Sequence, residues 1–422
     1  MRKLFKKAAS NPLISGTAVI FVGTFFGNIF NFLFNFFMAR NLSVSDYGVL
    51  ASLVSLILLF SLFAEAFVPS VIRFSGVYFA KNELDKVAAL FWKLNKGFFL
   101  IAGTILLGFL IFNHTIGEFL KIDNSFLIFA TGVSIFLFFL SILNRGMINA
   151  KLSFFYISFL NFFNSALKLI VGVVFVLLGM GVNGAILAFF AAYIGNYILA
   201  FIPLRFVFKS TRAKNVVGIR EIVRYSTPSA VAMLGVTLFI TTDIMIVKHF
   251  FSPQDAGIYA GMTLLGRIIY FFSAPIAHVL FSLVVQKNER HEKHNDLFYI
   301  AVLFVLISSL GIVAFYFLFP EFSIRFLLKQ EEYLEIKPIL WIFGIFIALY
   351  SILSLVTNYY LSIQKTRIFI PIIIAAILQA SLLWFYHGSF LTVTIISSIS
   401  VGIPLIFILT HYFLTYAKSK AY

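Results

Sequence analysis

The sequence predicts an all-α integral membrane protein of about twelve transmembrane helices, arranged as two six-helix bundles. Four observations carry that reading. Hydrophobic residues make up 61% of the 422 and charged residues only 11%, with a mean hydropathy of +1.01. Apolar runs long enough to cross roughly 30 Å of hydrocarbon as helices recur along the chain with short polar breaks. A repeat is also visible: Ser43, Asp46 and Gly48 return 209 residues later as Ser252, Asp255 and Gly257, while Asn149-Ala150-Lys151 is paralleled by Ile363-Gln364-Lys365 at an offset of 214. Finally, the cations are sorted by side. Of 32 Lys and Arg, 24 fall at the N-terminus, the C-terminus and the loops after even-numbered spans, against 6 in the opposite loops.

The spans follow in order. The first covers 13–39; the basic residues before it resemble the start of a secretory signal, but the run is too long and lacks a small-residue cleavage site, so it reads as a retained helix. Spans two to six cover 47–80, 94–113, 125–149, 154–178 and 182–208. After the basic stretch KSTRAKNVVGIREIVR come spans at 225–250, 256–286, 297–319, 338–364, 367–386 and 390–416. The expected domains are therefore 1–207, a cytoplasmic linker at 208–224, and 225–422. Six is an even number, so both halves enter the membrane in the same direction, and both termini are expected in the cytoplasm. The longest outer segment, 320–338, is too short for a catalytic domain, and the chain is not expected to be an enzyme.

Composition narrows the function further. With no cysteine, disulfides, thiolate metal sites and cysteine nucleophiles are excluded. His291 and His294 share a charged loop without other ligand types nearby, and no metal site is expected. The net charge of +16 is accounted for by topology and by contact with anionic membrane lipids, which makes nucleic-acid binding unnecessary.

Charges inside the spans are the informative exceptions. Glu65, Lys168, Asp243 and Arg267 lie in apolar helices, where Asp, Lys or Arg each cost roughly 2.5–3.5 kcal/mol at a helix centre unless they face protein or water. Their neighbours form polar stripes: Thr24, Asn28, Asn31 and Asn35 on span one; Asn161, Asn164, Ser165, Lys168 and Gly172 on span five; Thr263, Arg267, Tyr270 and Ala274 on span eight. Such stripes either line a cavity or hold helices together. The two cations either serve a cavity or pair internally with Glu65 or Asp243. Arg40, Arg73, Arg145 and Lys248 sit near span ends and are expected as interface anchors; His278 is expected as an interior histidine. Pro69, Pro228, Pro275 and Pro371 are expected to bend their helices.

The stretches GTFFGNIFNFLFNFFMARNLSVSDYGVLASLVSL, TTDIMIVKHFFSPQDAGIYAGMTLLGRI and IRFLLKQEEYLEIKPIL make the chain resemble the oligosaccharide-lipid (polysaccharide or O-antigen) flippases of the multidrug, oligosaccharidyl-lipid and polysaccharide (MOP) exporter superfamily. The resemblance implies a V-shaped cleft between the bundles that opens alternately to each side of a cell membrane, plasma or bacterial inner. It implies a polyprenyl-(pyro)phosphate-linked oligosaccharide as substrate, with Lys168 and Arg267 on the phosphate and Asn28, Asn31, Asn35, Asn161, Asn164 and Tyr270 as further substrate-binding residues. No cofactor is expected beyond a coupling proton or sodium ion, for which Asp243 and Glu65 are the candidates. Glycan-assembly enzymes are the expected partners. The alternatives are a multidrug and toxin extrusion antiporter for organic cations, and a membrane-embedded glycan polymerase or ligase.

Overall fold

The structure is a computed structural model and describes residues 12–209, 216, 218–289, 293–363 and 365–419. The basic N-terminus, linker residues 210–215 and 217, His291, Gln364 and the last residues of the chain lie outside the described residues, as do the side chains of Thr24, Pro228 and His278.

Fifteen α-helices carry the described chain: α1 Pro12–Asn41, α2 Val44–Glu65, α3 Val68–Ala80, α4 Leu84–Ile111, α5 Asn113–Leu120, α6 Ser125–Ala150, α7 Phe154–Leu177, α8 Gly181–Ala200, α9 Ile219–Phe250, α10 Pro253–Glu289, α11 Asn295–Leu318, α12 Pro320–Leu327, α13 Leu340–Ser362, α14 Phe369–Phe385 and α15 Phe390–Ser419. Among the described residues, ten helical stretches are long and apolar enough to cross a membrane, with α2 and α3 counted as one. The other two expected spans are α1 and the 17-residue α14. Large apolar side chains such as Ile111, Phe155 and Phe385 stay about three-quarters exposed, a surface suited to lipid rather than water.

The second, third and sixth spans differ from the sequence expectation. The second span is two helices, not one. Pro69, at the start of α3, has no N–H to offer the carbonyl of Glu65. The chain tightens there, with Ala66 N–H donating to Leu62 O (3.0 Å) and Phe67 N–H to Ala64 O (3.1 Å). The third span begins ten residues early, at Leu84, because Val87, Ala88, Leu90 and Phe91 form a buried face between Asp85, Lys86 and Lys93. The sixth stops at Ala200 and continues as a single 3-10 turn, Arg205–Phe208, tied down by Trp92 Nε1 donating to Val207 O at 3.0 Å.

The described chain packs as two compact units, Met1–Asn41 with Phe60–Thr227, and Leu42–Leu59 with Pro228–Tyr422. In the first, α7 lies against α1 and α8, and α6 against α3, α4 and α8. A core of Val71, Leu90, Phe91, Met147 and Leu204 fills the ends of these helices. In the second, α13 is the enclosed helix, packed by α10, α11 and α15. The first two-thirds of α2 belong to this second unit.

The repeated turns start α2 and α10 in the same way. Ser43 Oγ accepts from the N–H of Asp46 at 3.1 Å, and Ser252 Oγ accepts from that of Asp255 at 3.1 Å. Each satisfies a donor that the first turn of a helix leaves unpaired.

Candidate functional site

In the second unit, α9, α10 and α13 enclose a cavity of about 30 Å³ lined by Asp243, Thr263, Arg267, Tyr270 and Tyr350 among apolar residues. The sequence places Arg267 and Tyr270 on one face of a helix; the fold adds Asp243 from the preceding helix. Asp243 is 1% exposed, and both its oxygens are engaged: Oδ2 accepts from the Tyr259 hydroxyl at 2.8 Å and Oδ1 from the Ile244 N–H at 2.8 Å. Arg267 lies within electrostatic reach of Asp243 and of Tyr47, but among the described residues no ion pair of 4 Å or less joins Arg267 to Asp243. Tyr270 packs on Tyr350 with ring centroids 5.4 Å apart. The cavity wall thus carries a cation whose planar fork of donors has no acceptor among the described residues, and a carboxylate already held elsewhere.

Lys168, in the first unit, is housed differently. It is 9% exposed and donates to Asn31 Oδ1, whose own amide donates to Ser165 Oγ at 3.2 Å. Its ammonium also sits over the rings of Phe34 (5.1 Å) and Phe189 (4.6 Å), positions at which a desolvated cation is attracted by the ring faces. Asn35 Nδ2 donates to Asn31 O at 2.8 Å, and Asn164 Nδ2 to Ala192 O at 3.1 Å. Asn28 and Asn161 are half-buried and make no hydrogen bond among the described residues. Glu65, also half-buried, has Arg145 as its charged neighbour, with Tyr193 nearby.

Arg145 is accordingly beside an acid, and Lys248 is 1% exposed inside the second unit, where the sequence suggested membrane-interface anchors. Arg40 and Arg73 keep peripheral positions over Phe36 and Phe74. The residues that sequence reasoning missed are Tyr47, Tyr259 and Tyr350, three of eighteen tyrosines in a chain with 56 phenylalanines, where nothing local marks a tyrosine as functional. Among the described residues there is no group of three or more His, Cys, Asp or Glu that could hold a metal ion.

The chain is a helical multi-pass protein in two units, with charged groups on a cavity of the second, and solved structures share its fold. An inward-facing multidrug resistance MATE family transporter of the MOP superfamily is similar at a TM-score of 0.75 and 12% identity, over 91% of this chain and 94% of that one. The lipid II flippase MurJ, in an inward closed conformation, is similar at 0.73 and 17%, over 94% and 87%. A MOP superfamily transporter from Pyrococcus furiosus, described by the reverse polarity of its binding pocket, is similar at 0.60 and 15%, over 96% of each chain. No curated protein matches the sequence. Residues 37–338 match the family described as polysaccharide biosynthesis protein, and the chain belongs to that family.

Proposed function

We propose that this protein flips a polyprenyl-(pyro)phosphate-linked oligosaccharide from the cytoplasmic to the outer leaflet of a cell membrane by alternating access, for surface glycan assembly. Arg267 is the observation that carries the reading. A guanidinium held inside the membrane domain with no acceptor among the described residues is costly unless an anion uses it, and a phosphate bridge suits its planar fork. Family membership supports a substrate from polysaccharide assembly. Lys168 is the proposed second cation, held by Asn31 and seated over two aromatic rings. Asp243 and Glu65 are the proposed sites of proton or sodium coupling. Both termini and the linker are proposed to lie in the cytoplasm, and glycan-assembly enzymes to be the working partners.

The test is transport of a lipid-linked oligosaccharide in reconstituted vesicles. A charged hydrogen bond is typically worth about 1.5–3 kcal/mol, so Arg267→Ala should weaken substrate binding roughly ten- to hundredfold. Arg267→Lys should retain part of the activity. Full transport in Arg267→Ala would reject the phosphate role. Export of an organic cation that depends on Asp243, with no glycan-lipid transport, would establish the antiporter instead.

A further inference from the structure

The first unit holds a second group of polar side chains, on α6 and α8. Asn144 of α6 is 0% exposed, yet neither its Nδ2 nor its Oδ1 makes a hydrogen bond among the described residues. On α8, the Oδ1 of Asn196 is likewise buried and unpartnered among the described residues. The register of the two helices brings these amides together. Ser141 Oγ donates to Tyr193 O at 3.3 Å and Lys151 Nζ to Pro203 O at 2.9 Å, each pair 52 residues apart. Asn144 and Asn196 have the same separation (196 minus 144) and fall between those two contacts, so they stand at one level of packed helices that run in the same direction. Arg145 shares the α6 stripe of Ser141 and Asn144. Glu65 lies within electrostatic reach of Arg145 and of Tyr193. Among the described residues, however, neither Glu65 nor Arg145 makes an ion pair of 4 Å or less or a side-chain hydrogen bond.

We infer that Asn144 and Asn196 form an internal binding site for water, which also hydrates the neighbouring Glu65 and Arg145. The orphaned atoms select the ligand. Two amide oxygens call for a donor and the Asn144 Nδ2 calls for an acceptor, so the occupant has to be both. A metal cation would serve the oxygens but leave the Asn144 N–H groups unused and sit close to the Arg145 charge. An anion would serve the N–H groups but face two oxygens and Glu65. Water meets both demands, and the roughly three hydrogen bonds typical of a buried water match the three orphaned atoms. Turning the Asn144 amide over exchanges its nitrogen and oxygen and leaves the same requirement. A direct bond from Asn144 Nδ2 to Asn196 Oδ1 would still leave Asn144 Oδ1 without a donor. Water is needed either way. It gives the Glu65 carboxylate a proton-exchanging neighbour inside the unit, and the site itself does not depend on the cargo that the protein carries.

Met147 is the natural probe. It lies one turn beyond Asn144 on the same side of α6 and is fully buried, so radicals from bulk solvent do not reach it. A short X-ray pulse makes hydroxyl radicals wherever water is held, and mass spectrometry reads the methionine sulfoxide they leave. Met38 is as buried, on α1, where no side-chain atom is both buried and unpartnered among the described residues, and it serves as the dry control. Met147 should oxidise about tenfold faster than Met38, because susceptibility follows access to the oxidant. Asn144→Leu should bring it down to the Met38 rate. Equal protection of the two methionines in the unchanged chain would overturn the site, whether or not Asn144→Leu folds. Fast oxidation that persists in a folded Asn144→Leu would show water held by other groups and overturn it as well. A cryo-EM map that resolves water gives an independent reading: density is expected within about 3.2 Å of an Asn144 amide atom and of Asn196 Oδ1, and a dry contact there rejects the inference.

Discussion

Within an apolar helix, an ammonium has to find electron density somewhere, and Lys168 finds it in one amide oxygen and the faces of Phe34 and Phe189. Removing the amide leaves mainly the rings. Asn31→Ala should therefore lower stability by about 1–3 kcal/mol, measured by thermal unfolding in detergent, and Lys168→Met in the same background should recover part of the loss. Asp243 depends on Tyr259 in the same way. Tyr259→Phe should cost about 1–3 kcal/mol, and Asp243→Asn, which keeps an acceptor for the hydroxyl, should cost less. Ion coupling at these acids is read separately, by gradient-driven transport in Asp243→Asn and Glu65→Gln; normal gradient dependence in both variants would remove the acids from coupling. All four charges inside the spans, Glu65, Lys168, Asp243 and Arg267, stand out in the sequence, because a charge in an apolar run is conspicuous. Their partners do not. Phe34 and Tyr259 are ordinary members of an aromatic-rich chain, and only the fold selects them.

Helices met the expectation wherever hydropathy alone decides, and departed from it where an amphipathic turn carries charge. α4 gains its first turns from a buried face hidden among lysines. α12 and the 3-10 segment Glu331–Ile336 were absent from the sequence reading because their stretch is short and polar. Here Glu321 accepts from Lys337 Nζ at 3.0 Å and Arg325 Nε at 3.1 Å, and Arg325 also pairs with Glu331. The two cations hold the Glu321 carboxyl below its ordinary value of 4.5. Since its pKa is lowered on folding, this contribution is complete above 4.5 and is lost as pH falls through the lowered value. Hydrogen exchange across 320–337 should quicken below about pH 4, modestly because the groups are exposed, and Glu321→Gln should flatten the response. The break after Glu65 offers another check. Pro69→Ala restores the missing donor, so α2 and α3 should merge, with a higher unfolding temperature and slower transport. Transport at the original rate would show that the break is only a packing accommodation.

For the molecule as a whole, the sorting of cations predicts cytoplasmic signals from reporters fused after Phe208 and after Tyr422; an outward signal from either would break the six-plus-six arrangement. The internal repeat was legible from three residues at one offset, because a helix start needs a capping side chain and a Cβ on Gly48 would lie 2.7 Å from the backbone nitrogen of Gly257. What could not be read is which unit each piece joins, since hydropathy records depth in a membrane and carries no record of neighbours. The segment Leu42–Leu59 is the telling case. Its eighteen residues are translated well before the chain from Pro228 onward with which they pack, so the second unit cannot be completed from residues 228–422 alone. A chain severed in the 208–224 stretch should yield a C-terminal fragment that lacks Tyr47 beside Arg267 and presents a vacant groove along α10. Co-expression of the N-terminal fragment should fill that groove. Biogenesis therefore binds the halves to one another before any substrate arrives.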